Sequence, residues 1–175
     1  MTAIIFPGQG SQYLNMSMDF NENFDIANKV FQEIEDSTQI NIRKIITENP
    51  LNNLNKTKYT QISVFSASMA IYKSLLNELG KEIIKPKYLL GHSLGEYSAL
   101  VAGNLINITD ASILIKKRAE LMHSSIEPNV SGMAAIIGKN SNFINDVIKK
   151  NNLKVVIAND NSPMQVVVSG LIEDI

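Results

Sequence analysis

The sequence contains no cysteine and only two histidines, His92 and His123, among its 175 residues. The absence of cysteine excludes disulfides, thiolate nucleophiles and cysteine-ligated metals, and it suits a reducing cytosol. The scarcity of histidine leaves few positions for a general base of that type. We therefore predict a cytoplasmic protein without a metal site.

The sequence also lacks an excess of charge of either sign and a long apolar run. Sixteen basic and 17 acidic side chains give a net charge of −1, which argues against broad nucleic-acid binding. No stretch approaches the roughly 18 consecutive apolar residues of a membrane helix. The start, MTAIIFPGQG, lacks the basic region and long apolar run of a signal peptide. Hydrophobic residues make up 45%, enough for the core of one domain, or of one domain and part of a second.

Alternating strand and helix patterns predict an α/β domain with a mostly parallel sheet over residues 1–126. TAIIF and KYLLG are predicted as short buried strands, each followed by a turn that contains glycine. Between them, a long helix with one apolar stripe is predicted from Thr60 onward. The stripe consists of Ile62, Phe65, Met69, Tyr72, Leu76 and Leu79. EYSALVAG and DASILIKKRAELMHSSI are predicted as the helices that follow KYLLG.

The pattern changes after Pro128. GMAAIIG, NFINDVIKK, KVVIAN and QVVVSG predict a strand, a helix and two more strands. This β-α-β-β order is the first part of a ferredoxin-like split unit, which needs one more helix and strand. We therefore predict an incomplete ferredoxin-like small subdomain over residues 127–175.

The sequence GHSLG places Ser93 between two glycines, after a predicted strand and before a predicted helix. This is the pattern of a nucleophile elbow, in which a strained turn exposes the serine hydroxyl. Gly91 and Gly95 would avoid side-chain clashes at the turn. The backbone N–H of Leu94 and the helix dipole would face negative charge on an attacked carbonyl. The alternative is that Ser93 is only a small residue in a tight connection.

Two further features suggest a site around Ser93. The loop FPGQGSQ matches neither phosphate-binding glycine pattern, but it follows a strand at the edge where open α/β sheets bind ligands. There, a side-chain amide or backbone N–H at Gln9 could complete an oxyanion hole with Leu94, unless the loop is a plain turn. Arg118, in KKRAELM, is either a solvated surface charge or a guanidinium that grips a carboxylate.

These segments, in this order, resemble the malonyl-CoA:acyl-carrier-protein transacylases of fatty-acid synthesis and the acyltransferase domains of polyketide synthases. The resemblance extends over the whole length and rests on FPGQGSQ, LNKTKYTQISVFSASMAIY, GHSLGEYSALVAG, KKRAELM, GMAAIIG and NSPMQVVVSG. It implies an α/β-hydrolase-like large subdomain and an enzyme that transfers malonyl from coenzyme A to acyl carrier protein, either free-standing or as a module of a larger synthase. Malonyl-CoA would be a substrate, with no permanently bound cofactor, and the full-length protein would be a monomer.

The resemblance also implies the roles of individual residues. Ser93 would carry the malonyl group as an ester, and the backbone N–H groups of Gln9 and Leu94 would hold the oxyanion. Arg118 would bind the free malonyl carboxylate, which agrees with the charge it brings to the site. Gln61 and Asn161 fall in family segments near the site and receive no role beyond lining it.

A serine nucleophile needs an adjacent base, and in this family the base is a histidine well downstream. His92 precedes the nucleophile, and adjacent side chains on a sharp turn rarely face each other. His123 lies five residues past Arg118, about 140° away around the helix, and is expected at the surface. We therefore expect these 175 residues to be the N-terminal part of a longer transacylase, inactive or nearly so alone and poorly soluble.

Two other functions remain open from the residues alone. One is a G-x-S-x-G hydrolase, such as a patatin-like or α/β-hydrolase esterase. Arg118 argues against it, because an esterase for neutral lipids does not need a buried cation. The other is a non-catalytic domain that docks carrier protein, which the lack of a suitable histidine allows.

Overall fold

The computed structural model describes residues 2–125 and 130–175. The chain divides into two compact units, Met1–His123 and Ser124–Ile175. The boundary predicted between residues 126 and 127 falls outside the described residues. No helix among the described residues is long and apolar enough to cross a membrane.

The first unit is an α/β unit in which helices outnumber strands. Its elements are β1 (Ala3–Phe6), α1 (Met18–Asn23), α2 (Asp25–Thr38), α3 (Ile42–Glu48), a 3-10 helix (Pro50–Asn55), α4 (Thr57–Leu79), β2 (Tyr88–Gly91), α5 (Gly95–Ala102) and α6 (Ile108–Ser124). The two strands pair in parallel, with Ala3 opposite Tyr88 and Phe6 opposite Gly91. The predicted parallel pairing is therefore correct. The expected alternation fails between β1 and α4, where three α-helices and the 3-10 helix follow one another.

Helix α4 is the centre of the first unit, and its burial differs from the prediction. Every residue from Thr60 to Ala70 is buried, including the polar Gln61, Ser63 and Ser66, so the helix has no single apolar stripe there. Helices α1, α2, α3 and α5 all contact α4, which leaves no solvent face over these turns. Ser66 fits this setting because its hydroxyl donates to the Ile62 carbonyl one turn earlier (2.8 Å).

Tyr72 connects α4 to the carboxyl end of β1. Its ring meets Phe6 edge-on, with centroids 5.6 Å apart. Burial raises the pKa of Tyr72 above its ordinary value, because the phenolate would lose its hydration. The neutral phenol therefore belongs to the apolar layer beneath the end of β1.

The second unit contains a three-stranded antiparallel sheet and one helix. Its elements are β3 (Ser131–Ile137), α7 (Ser141–Asn151), β4 (Val155–Ser162), β5 (Gln165–Leu171) and a short 3-10 helix (Ile172–Asp174). The strand order is β3-β5-β4, so β5 lies between the two strands that α7 connects. The predicted order of a strand, a helix and two more strands is therefore present. Its buried cluster, Ile144, Val155, Val166 and Val168, is separate from the core of the first unit.

Candidate active site

Ser93 lies in the turn between β2 and α5, in a backbone conformation that side chains rarely adopt. Its φ angle is +53°, in the left-handed region. Two hydrogen bonds maintain the turn: Gly95 N donates to His92 O (2.9 Å), and Glu96 N donates to Ser93 O (3.1 Å). The strand, sharp turn and helix predicted around Ser93 are therefore present. Leu94 immediately precedes the first residue of α5.

Gly91 and Gly95 permit this turn because the backbone passes close to both. A Cβ atom on Gly91 would lie 2.0 Å from the Gly95 carbonyl carbon. A Cβ atom on Gly95 would lie 2.2 Å from the Phe6 carbonyl oxygen. Both distances are far inside van der Waals contact, so the clash expected from the sequence exists. Gly95 also allows α5 to begin directly against the end of β1.

Arg118 reaches Ser93 from helix α6. Its Nη2 donates to Ser93 Oγ at 2.8 Å, and both side chains are half-buried. The guanidinium carbon lies 6.0 Å from the centre of the Tyr97 ring on α5. Arg118 is therefore not a solvated surface charge. The fold brings together a serine hydroxyl and a cation that are 25 residues apart in the chain.

Gln61 completes the surroundings of Arg118. Its Oε1 accepts a hydrogen bond from Arg118 Nη1, and its Nε2 donates to Met122 Sδ (3.3 Å). The sequence analysis gave Gln61 no role beyond lining the site. The sequence did contain a signal for such a contact, because the glutamine at position 61 directly precedes Ile62 of the predicted apolar stripe of α4.

The loop after β1 lies beside the Ser93 turn. A Cβ atom on Gly8 would lie 2.6 Å from the His92 carbonyl oxygen, so the two segments are in close contact. Gln9 is exposed, and its Nε2 donates to Thr57 Oγ1 (3.2 Å) at the start of α4. The Gln9 side chain is thus hydrogen-bonded to the first residue of α4. Asn161 is an exposed residue of β4, in the second unit.

Comparison with known proteins identifies the family of this chain. The family model described as "Acyl transferase domain" matches residues 3–175. The chain belongs to the acyl transferase domain family. It is 35% identical over 170 residues to the malonyl CoA-acyl carrier protein transacylase of Haemophilus influenzae, which covers 96% of the chain and 54% of that relative.

Solved structures resemble this chain in three dimensions as well. The malonyl CoA-acyl carrier protein transacylase of Coxiella burnetii matches with a TM-score of 0.91 and 32% identity, over 99% of this chain and 54% of that one. A malonyl-transacylase solved with a type II polyketide synthase acyl-carrier protein matches with a TM-score of 0.89 and 35% identity, over 99% and 56% of the two chains. The chain thus spans about half the length of these relatives. None of these matches favours the esterase or the non-catalytic alternative.

The two histidines of this chain occupy different positions. His92 is exposed, and its Nδ1 would lie 2.8 Å from a Cβ atom on Gly8, so its ring lies beside the loop after β1. His123 is exposed in the last turn of α6. Among the described residues, no cluster of three or more His, Cys, Asp or Glu side chains could hold a metal ion.

Proposed function

We propose that this chain forms the nucleophile-bearing part of an acyltransferase that moves malonyl from coenzyme A to the phosphopantetheine thiol of acyl carrier protein. The observation that carries the proposal is the hydrogen bond of 2.8 Å from Arg118 Nη2 to Ser93 Oγ at the strained turn. It joins a nucleophile to the type of cation that recognises a free carboxylate. The similarity to malonyl CoA-acyl carrier protein transacylases supports the choice of malonyl and carrier protein.

In the first half-reaction, Ser93 Oγ attacks the thioester carbonyl carbon of malonyl-CoA. The Oγ–C bond forms and the C–S bond breaks; the serine proton passes through a base to the departing thiolate. In the second, the phosphopantetheine thiol gives its proton to the same base and attacks the ester carbonyl carbon. The C–S bond forms, the C–Oγ bond breaks, and the base returns the proton to Ser93 Oγ. Backbone N–H groups of Gln9 and Leu94 are the proposed oxyanion donors. The position of Leu94 ahead of α5 and the packing of Gly8 against His92 support this assignment.

Arg118 is the proposed selectivity residue. Its guanidinium offers several N–H donors, so an entering malonyl carboxylate can replace Ser93 Oγ as its partner. The released hydroxyl is then beside the bound acyl group. An acetyl group has no carboxylate and would leave the half-buried cation without a charged partner, which disfavours it.

The general base is proposed to lie outside these 175 residues. The exposed His123 in the last turn of α6, and the His92 ring beside Gly8, support this assignment. We accordingly propose that these residues alone transfer malonyl slowly or not at all.

We extend the proposal to the organisation and setting of the protein. Residues 1–126 would belong to an α/β-hydrolase-like subdomain, and residues 127–175 would begin a ferredoxin-like one. The strand order β3-β5-β4 supports the second assignment. The proposed process is fatty-acid synthesis, in the cytoplasm, by an enzyme that acts as a monomer; the cysteine-free sequence is compatible with that compartment.

The test is intact-mass spectrometry of the polypeptide expressed from the whole reading frame that carries this sequence, after incubation with malonyl-CoA. We expect a malonyl-sized adduct that disappears in Ser93→Ala and persists in Ser98→Ala, a matched loss of a hydroxyl one turn into α5. Arg118→Met should reduce malonyl adduct formation by roughly two orders of magnitude and spare acetyl adduct formation. An adduct that survives Ser93→Ala, or equal losses with both donors, would contradict the proposal.

A further inference from the structure

Gln61 is a polar side chain in an unusual place. It lies on α4 between the buried residues Thr60 and Ile62, and its own relative exposure is 0%. A buried amide loses its hydration and is costly unless both its acceptor and its donor find partners. Gln61 has both partners, and both belong to helix α6.

The two partners are Arg118 and Met122, one turn apart on the same face of α6. The amide N–H of Gln61 points to the thioether sulfur of Met122, a weak acceptor that cannot compete for a cation. This contact turns the carbonyl oxygen of the amide to Arg118 Nη1. Gln61 therefore presents a neutral acceptor to the arginine in a defined orientation.

The consequence concerns the geometry and the charge of Arg118. Gln61 holds Nη1 while Nη2 faces Ser93 Oγ, so rotation of the guanidinium about its Cζ–Nε bond would break a part-buried hydrogen bond. A neutral amide fixes the group without neutralising it. A carboxylate at the same position would form an ion pair and compete with any substrate carboxylate.

We propose that Gln61 is the positioning residue of this site: it orients the Arg118 guanidinium toward Ser93, and its neutrality leaves the positive charge available to an acyl carboxylate. The charge-selective part of this inference rests on the proposed function. The orienting part does not, because it concerns only contacts within the chain.

The orienting part is tested by nuclear magnetic resonance of isotope-labelled arginine side chains in the protein without substrate. Restrained rotation should give separate Nη1 and Nη2 signals for Arg118, identified by their loss in Arg118→Lys. In Gln61→Leu, which keeps the volume and removes the acceptor, the two signals should merge. Gln32→Leu is the matched control, since Gln32 also accepts from an arginine Nη, that of Arg43 (2.9 Å), at an exposed position. Separate signals that persist in Gln61→Leu would overturn the proposal.

The charge-selective part is tested by the rates of serine acylation by malonyl-CoA and acetyl-CoA in the polypeptide from the whole reading frame. We expect Gln61→Glu to lower kcat/KM for malonyl-CoA by about tenfold to a hundredfold, mainly through KM, with a much smaller change for acetyl-CoA. Gln32→Glu should leave the ratio of the two rates unchanged. Parallel losses with both donors in a folded Gln61→Glu protein would indicate a merely structural residue and overturn the proposal.

The two experiments separate this inference from the proposed function. If the wild-type protein forms no malonyl adduct, the proposed function fails, whereas the resonance experiment still decides whether Gln61 orients Arg118. If the adduct forms and the signals of Arg118 are averaged in the wild type, the proposed function stands and the inference about Gln61 fails.

Discussion

The candidate site depends on the backbone conformation of a single serine. Ser93 has a φ of +53°, which costs a residue with a Cβ atom on the order of 1 kcal/mol. The adjacent hydrogen bonds, from Gly95 N to His92 O and from Glu96 N to Ser93 O, offset this strain. The conformation presents the hydroxyl to Arg118 rather than to the core. The backbone strain is therefore located at the residue that bears the proposed nucleophile.

This strain gives a prediction with an internal control. Ser93→Gly should be more stable than Ser93→Ala by about 1 kcal/mol, because glycine adopts positive φ without a steric cost. At Ser98, in the interior of α5, the order should reverse, since glycine is unfavourable within a helix by roughly 0.5–1 kcal/mol. Urea unfolding of the four variants measures both differences. If alanine were the more stable replacement at both positions, the turn would not be strained.

At the scale of elements, the position of α5 against β1 and β2 aligns the site. The parallel pairing of the strands brings the β1 loop beside the Ser93 turn, with His92 N donating to Phe6 O (3.2 Å). Gly95 lets the first turn of α5 touch the end of β1, where the Phe6 carbonyl occupies the space of a side chain. The start of α5 therefore meets the end of β1 through direct backbone contact.

The two ends of α5 should respond differently to one added methyl group. Gly95→Ala should destabilise the protein by about 3 kcal/mol or more, because only movement of backbone can relieve the overlap with Phe6 O. Gly103→Ala is the control: its Cβ would lie 3.4 Å from the nearest atom, Ala99 O, and its φ is −82°. Its effect should stay within about 0.5 kcal/mol. Thermal unfolding followed by circular dichroism compares the two, and equal changes would refute the account.

At the scale of the whole chain, one face of the two-stranded sheet is apolar and exposed. Ile5 and Leu90 are register partners with relative exposures of 69% and 49%, and Tyr88 on the same face has 49%. Parallel sheets are ordinarily covered on both faces. Adjacent apolar side chains exposed on a strand pair favour association with another molecule. We therefore expect this exposed apolar face to cause the poor solubility of the chain.

The prediction is that polar substitutions on this face reduce self-association of the 175-residue chain. The double variant Ile5→Thr, Leu90→Thr should lower concentration-dependent light scattering, because threonine keeps strand propensity and removes apolar area. Leu51→Ser, which changes a leucine that is 85% exposed on the 3-10 helix, should have a smaller effect. Scattering that is equally low in the wild type, or a sharp reversible two-state melt of it, would contradict the expectation.

Local sequence patterns predicted much of this protein. Apolar runs and helical spacing predicted β1, β2, α4 and the strand, helix and strands of residues 131–171, and the glycines at 91 and 95 predicted the turn at Ser93. The reason is that these features depend on residues close together in the chain. A strand needs its own apolar run, and a sharp turn needs glycine where its own backbone folds back.

Tertiary structure decided what lies around those elements. The burial of α4 on all sides from Thr60 to Ala70 comes from helices α1, α2, α3 and α5, none of which is encoded in the periodicity of α4 itself. The contact of Gln61 with Arg118 joins residues 57 positions apart, and it exists because α4 and α6 bring them together. The sequence by itself determined that Ser93 stands on a strained turn. Which side chains surround that serine depended on packing between distant segments, since no short-range pattern records which helices become neighbours.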